Sequence, residues 1–183
     1  HNLGFMFAPS YHPAMKYAMN VRNDLKLKTV FNILGPLCNP ALVKSQVMGT
    51  FNKNLTEIQA KVLKNLGSKN VMTFCSNEGL DELTTTGKTK VTQFMNGGEI
   101  NSFEFEPENI GLKRSNINDL KGGTPDENAK IIIEILQGGE GPKTDIVLLN
   151  AAAGIIVGGK ADDFQNAFKI AKLSIENGLS LIN

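Results

Sequence analysis

Residues 47–75 read VMGTFNKNLTEIQAKVLKNLGSKNVMTFC, and three short signals within them decide the fold class. Val47 to Phe51 is a compact strand-like run. Asn54 to Glu57 has the spacing of a capping box, in which a side chain at the helix start satisfies an otherwise orphaned backbone N–H. It opens a helix whose Leu55, Ile58, Val62, Leu63 and Leu66 share one face, with Gly67 placed to close it. Val71 to Cys75 is a second short apolar strand. Strand, helix and strand within about 30 residues make a βαβ unit, which requires parallel pairing and a right-handed crossover. The expected architecture is therefore α/β: a mainly parallel sheet with helices on both faces.

Toward the C-terminus, Lys90 to Phe94 and Glu99 to Phe105 flank Asn96-Gly97-Gly98 with partial alternation, which predicts a peripheral antiparallel hairpin. Thr124-Pro125-Asp126-Glu127 is a further capping box, with proline at the first helical position, leading a helix that ends at Gly138. Ile146 to Val157 is nearly all apolar and small, and Asp162 to Asn177 is an amphipathic helix closed by Gly178. Toward the N-terminus, Gly4 to Pro9 reads as a short buried strand or an entry loop. Pro13 then opens a helix with Ala14, Tyr17, Ala18, Val21 and Leu25 on its buried face. Gly35-Pro36 and Asn39-Pro40 interrupt regular structure twice in six residues, which predicts a fixed, folded-back loop.

The 183 residues suit one domain, and 19 basic against 18 acidic residues give a formal charge of +1. No long run of either sign offers an electrostatic grip on nucleic acid or anionic lipid. No apolar run reaches the roughly 18 residues needed to span a bilayer. Cys38 and Cys75 belong to no CxxC pair and read as two small buried thiols, in keeping with a soluble cytoplasmic protein. The start at His1, without methionine and directly in apolar sequence, reads as a piece cut from something longer.

Five places are candidates for chemistry. Asp81 and Glu82 follow a parallel strand, where ligand sites of α/β sheets gather. In a turn both carboxylates can reach a hard cation such as magnesium, which takes one or two carboxylates plus substrate phosphates. The competing reading is a solvated acidic turn. Arg22 is one of two arginines in a lysine-rich chain. It is either a solvated helix residue or a planar fork for a carboxylate. His12 taken alone is a cap or a packed ring. Lys121 to Thr124 reads as capping before an anion cradle, and Asn150 in LLNAAAG as helix packing.

Taken together, GFMFAPSYHPAMK (4–16), VRNDLKLKTVFNILGPLCNPA (21–41) and GLDELTTTG (79–87) resemble the anthranilate phosphoribosyltransferases, a family of nucleoside phosphorylase-like glycosyltransferases. The resemblance runs over nearly the whole chain and matches the C-terminal α/β portion of the catalytic domain. The family's N-terminal helical domain and its GTGGD-type glycine loop are not among residues 1–183. It implies transfer of phosphoribosyl from phosphoribosyl pyrophosphate to the amine of anthranilate, in tryptophan biosynthesis. It further implies Asp81 and Glu82 as ligands of Mg²⁺, and Arg22, Ala8, Pro9, His12 and Gly35 as anthranilate-binding residues. No protein residue acts as nucleophile. The full-length enzyme is expected to be a homodimer, and the piece alone inactive. Cys38 stands where the family often has threonine. A pyrimidine nucleoside phosphorylase and a non-catalytic nucleic-acid-binding relative are the competing readings.

Overall fold

A computed structural model describes residues 4–11, 13–15, 17, 24 and 29–179. It divides into two units, residues 1–43 and residues 44–183.

In the first unit, a short helix α1 (Ala8–Tyr11) precedes a single 3₁₀ turn, Pro13–Met15, and a second helix α2 spans Phe31–Leu37. Of the two readings of Gly4 to Pro9 the entry loop holds over residues 4–7, which lead irregularly into α1, and Phe5 and Phe7 are exposed. Ala14 and Tyr17, expected on a buried stripe, are exposed as well. The 3₁₀ turn winds at three residues per turn, which takes Ala14 off the α-helical phase. Ala18, Val21 and Leu25 lie outside the described residues.

Gly35-Pro36 does not break the chain, because α2 runs through both residues. A proline fits helical φ, and the restriction falls on the residue before it, through its Cβ. Glycine has no Cβ, so Gly35 removes much of that clash. The Cys38 N–H still donates to the Leu34 carbonyl at 3.0 Å, so the helix closes two residues past the proline. The second break stands: Asn39 Oδ1 accepts the Ala41 N–H at 3.0 Å in a tight side-chain turn. Cys38 is exposed, whereas Cys75 is buried as expected.

The second unit holds a four-stranded sheet of β1 (Ser45–Gly49), β2 (Asn70–Ser76), β3 (Thr89–Phe94) and β4 (Asn101–Phe105), in that spatial order. β1 pairs parallel with β2 through the helix α3 (Lys53–Asn65), the βαβ unit read from the sequence. The other two pairings are antiparallel, so the described sheet is mixed where a mainly parallel one was expected. The connections explain this: residues 77–88 contain no helix, and a parallel return needs a crossover of a dozen or more residues, usually helical. The hairpin is only half peripheral. β4 forms the exposed edge, while β3 lies inside the sheet with Val91 and Phe94 fully buried.

Helices cover both faces. α4 (Pro125–Leu136), α5 (Pro142–Val157) and α6 (Phe164–Glu176) follow the sheet. On one face α5 presents Leu149, Ala152, Ala153, Ile156 and Val157 to Met72, Phe74 and Val91. Its alanines let helix and sheet approach closely, and α6 adds Ala167 to the same core. The Phe164 ring leans on Phe105 with centroids 4.6 Å apart. Each large side chain buried there stabilises the fold by about 1.5–3 kcal/mol.

α3 covers the other face with a surface the periodicity predicted only in part, Leu63 being buried as expected. Thr56, Gln59, Ala60 and Leu63 are buried, and Ile58 and Leu66 are exposed. The sheet below sets the hydroxyls of Thr73 and Thr92 among the buried apolar side chains of Val71, Cys75 and Phe94. Thr73 Oγ1 donates to the Thr56 carbonyl at 2.8 Å, and Thr92 Oγ1 donates to Thr56 Oγ1 at 3.0 Å. Thr56 is the complementary residue at that point, while Ala60 and Leu63 give the same helix face its apolar part. The helix N-cap is Asn52, whose Oδ1 accepts the Asn54 N–H at 2.9 Å, two residues before the expected box. Among the described residues no helix is long and apolar enough to cross a membrane.

Candidate functional site: the acidic loop after β2

The loop between β2 and β3 begins with a tight closure. Ser76 donates its N–H to the Leu80 carbonyl at 2.9 Å, while Ser76 Oγ accepts the Leu80 N–H at 2.9 Å. Gly79 takes φ +82° within it, a conformation that favours glycine. The far end is equally fixed. Thr84, Thr85 and Thr89 are fully buried, and the Thr84 N–H donates to Thr89 Oγ1 at 3.3 Å. The Thr86 N–H donates to Thr84 Oγ1 at 3.0 Å, and Thr86 Oγ1 donates to Glu78 Oε2 at 2.6 Å. The Ser115 N–H donates to the Thr85 carbonyl at 3.0 Å.

Between these anchors Asp81 and Glu82 are exposed, and the next residue, Leu83, is fully buried. Two contacts from outside the loop hold the backbone here. A Cβ placed on Gly49, the last residue of β1, would fall on the Asp81 carbonyl, and Asp81 Cα would lie 3.1 Å from it. Only glycine permits this approach. From the opposite side of the sequence, Asn150 of α5 uses its whole amide: Oδ1 accepts the Leu83 N–H at 3.0 Å, and Nδ2 donates to the Leu83 carbonyl at 2.8 Å. The same Nδ2 donates to the Ile146 carbonyl at 2.9 Å, one turn back in its own helix. Asn150 is thus a clamp on the acidic loop as well as a packed helix residue.

The pair therefore stands at the carboxyl ends of the two parallel strands, β1 and β2, where open α/β sheets place ligands. Among the described residues neither carboxylate is ion-paired, and no cluster of three metal-ligating side chains forms. Partial withdrawal from water holds the Glu82 carboxyl above the ordinary glutamate range, and the neighbouring Asp81 charge adds to it. Two close, unneutralised carboxylates are a donor set that suits a hard cation sharing its shell with phosphate oxygens and water.

The remaining predicted residues belong to the first unit. Ala8 and Pro9 lie in α1 and Gly35 in α2, half-buried. His12 and Arg22 lie outside the described residues. The Lys121–Thr124 segment is capping, as expected: the Gly123 N–H donates to Asn128 Oδ1 at 2.8 Å and the Thr124 N–H to Glu127 Oε2 at 2.7 Å. Those donors are already used. Sequence reasoning missed the roles of Gly49 and Asn150. The available signals were a glycine ending a strand and one amide in an otherwise apolar helix stretch.

A loop at the carboxyl ends of parallel strands is where open α/β sheets bind ligands, and the chain belongs to the glycosyl transferase family, matching its a/b domain over residues 1–181. Within that family its relatives are specific. It is 47% identical over 180 residues to the anthranilate phosphoribosyltransferase of Alkaliphilus metalliredigens, covering 98% of this chain and 53% of that protein. The solved anthranilate phosphoribosyltransferase of Thermus thermophilus superposes with a TM-score of 0.86 at 37% identity, covering 98% of this chain and 53% of that one. The Saccharomyces cerevisiae enzyme in complex with PRPP and Mg gives 0.83 at 29% identity, covering 93% and 49%. The chain spans about half the length of the curated relatives it matches.

Proposed function

We propose that the chain is the C-terminal α/β part of an enzyme that transfers phosphoribosyl from phosphoribosyl pyrophosphate to anthranilate, releasing pyrophosphate, in tryptophan biosynthesis. The observation that carries this is the Asp81–Glu82 pair, exposed and unpaired among the described residues on a loop anchored at both ends. The likeness to anthranilate phosphoribosyltransferases supports the choice of substrates. The glycine-rich loop and the helical domain belong, on this reading, to sequence outside residues 1–183.

In the reaction the anthranilate nitrogen forms a bond to ribose C1, and the bond from C1 to the pyrophosphate oxygen breaks with its electron pair. Positive charge builds on the ribose and negative charge on pyrophosphate, so catalysis rests on positioning and electrostatics rather than on a protein nucleophile. Asp81 and Glu82 would hold Mg²⁺, which when bound would supply charge neutralisation to the leaving pyrophosphate. The carboxylates would act on the pyrophosphate end only through that cation, since bare carboxylates repel it. Arg22, Ala8, Pro9, His12 and Gly35 are assigned to the anthranilate end by resemblance, with Arg22 forking onto the carboxylate. The enzyme is proposed to act in the cytoplasm as a homodimer, without nucleic acid or membrane as partner.

The test is consumption of anthranilate by the intact enzyme, followed by fluorescence with phosphoribosyl pyrophosphate and Mg²⁺ supplied. Stoichiometric pyrophosphate release is the expected result. Phosphorolysis of a pyrimidine nucleoside, with anthranilate untouched, would overturn the reading.

A further inference from the structure

Asn150 reads a single residue of the acidic loop on both of its backbone groups, from a helix 67 positions away in sequence. The Leu83 N–H lies in the peptide plane that joins Glu82 to Leu83. The Asp81 carbonyl lies in the plane that joins Asp81 to Glu82, and it is the group packed against Gly49. The two planes that flank Glu82 are therefore each held by a contact from outside the loop. Since side-chain direction follows from the backbone planes on either side of the Cα, these two contacts aim the Glu82 carboxylate. Asp81 shares the plane that packs against Gly49.

Such aiming has to be imposed. Adjacent carboxylates in an extended segment diverge, and like charges at close range repel each other further. The internal hydrogen bonds of the loop sit at its ends, Ser76 to Leu80 and Thr84 to Thr89, and none of them touches the backbone of Asp81 or Glu82. Asn150 is itself fixed, because its Nδ2 also donates to Ile146 in α5, and α5 is packed into the core through Leu149, Ala152 and Ala153.

From this geometry we infer that Asn150 is a positioning residue for the Asp81–Glu82 pair: it sets the orientation in which the two carboxylates meet a cation bound to the pyrophosphate substrate. The inference rests on the reading of Asp81 and Glu82 as cation ligands. Asn150 touches neither substrate nor cation.

The informative variant is Asn150→Asp in the intact enzyme. It keeps the shape, loses both Nδ2 hydrogen bonds, and turns a carboxylate toward the Leu83 and Ile146 carbonyls. Groups that orient metal ligands typically change metal affinity or activity by about 10- to 100-fold when replaced. Acting through the backbone, Asn150→Asp falls at the lower end: half-saturating Mg²⁺ and the KM for phosphoribosyl pyrophosphate each rise about 10-fold. The anthranilate KM stays within about twofold, the experimental scatter allowed for a site the clamp does not serve. A merely structural role would lower the folded fraction, hence the amplitude of activity, and leave the Mg²⁺ titration in place; that result overturns the inference. Asp81→Asn with Glu82→Gln, measured alongside, separates the two layers. If that double change shifts the Mg²⁺ titration and Asn150→Asp does not, the clamp is wrong and the ligand reading stands. If the double change leaves the titration unmoved, the ligand reading fails and takes the clamp with it. Should Asn150→Asp not fold, hydrogen exchange of the Leu83 amide in the unaltered enzyme decides. Slower exchange on adding Mg²⁺ with phosphoribosyl pyrophosphate supports the inference, and an unchanged rate overturns it.

Discussion

Replacing Gly49 by alanine is the smallest change that tests how the acidic loop is held. The added methyl would coincide with the Asp81 carbonyl, and the obstruction is backbone, with Asp81 Cα only 3.1 Å from the new carbon. No rotamer change relieves such an overlap. Either the end of β1 moves, against its parallel pairing of Gly49 with Phe74, or the loop moves, against Ser76, Thr89 and Asn150. Overpacking a filled site costs about 1–3 kcal/mol, and a backbone obstruction belongs at the upper end. Gly49→Ala should thus lose about 3 kcal/mol of stability in urea unfolding of the intact protein. The loop is the less regular of the two, so it should yield first, and half-saturating Mg²⁺ should rise together with the loss of stability.

Gly154→Ala provides the control. Gly154 lies in α5 at ordinary φ, and a Cβ there meets nothing within 4 Å. A glycine inside a helix costs about 0.5–1 kcal/mol relative to alanine, so this substitution should stabilise by that amount and leave Mg²⁺ dependence untouched. If Gly49→Ala behaves like Gly154→Ala, the loop does not rest on β1, and the account of how Asp81 is held is wrong.

Other outcomes follow from the same site. Asp81→Asn combined with Glu82→Gln preserves shape and removes the charge a cation needs, so activity should fall steeply and the apparent Mg²⁺ requirement rise; an unchanged titration would leave a solvated turn. In metal-free protein, burial and the Asp81 charge raise the Glu82 pKa, so the folded state disfavours ionised Glu82. That penalty is present above the folded pKa and disappears as pH falls below the unfolded value, so Glu82→Gln should raise the urea midpoint near about pH 7 and lose its advantage near about pH 4. An equal gain at both values would point to packing instead. Arg22→Lys keeps charge but loses the fork, and loss of a charge-assisted hydrogen bond of about 1.5–3 kcal/mol should raise the anthranilate KM roughly 10- to 150-fold. The phosphoribosyl pyrophosphate KM should barely move, and a joint rise would assign Arg22 to the fold.

What could be read from the sequence was what local chemistry decides. The βαβ unit was legible because the strands, the helix period and the Gly67 stop lie within one continuous stretch, and Gly67 does take φ +86°. The Thr124 capping box and the hairpin were legible for the same reason. Errors arose where a distant surface chose between local options. Apolar spacing in α3 selected Leu55, Ile58, Val62, Leu63 and Leu66; Leu63 is buried, but Ile58 and Leu66 are exposed while Thr56 and Gln59 turn inward, Thr56 because Thr73 and Thr92 meet it across the sheet. Asn150 looked like packing because its partner, Leu83, is remote in sequence, and nothing local to LLNAAAG specifies what its amide binds.

The string GLDELTTTG shows how far a motif can be divided. Its threonines are polar and invite a ligand, yet Thr84 and Thr85 are buried and Thr86 is bound to Glu78, so their hydroxyls and backbone close a helix-free connection. A connection between antiparallel strands must satisfy every buried backbone group without a ladder, and hydroxyl side chains are short enough to do this locally. Gly79 supplies the reversed φ and Leu83 the apolar anchor into the core. After these are assigned to the loop's own architecture, Asp81 and Glu82 alone of the string's charged groups face solvent unpaired among the described residues. Six of the nine positions thus build a stage for two, which is why substitutions among the threonines should move stability before they move the Mg²⁺ titration, and substitutions of the carboxylates the reverse.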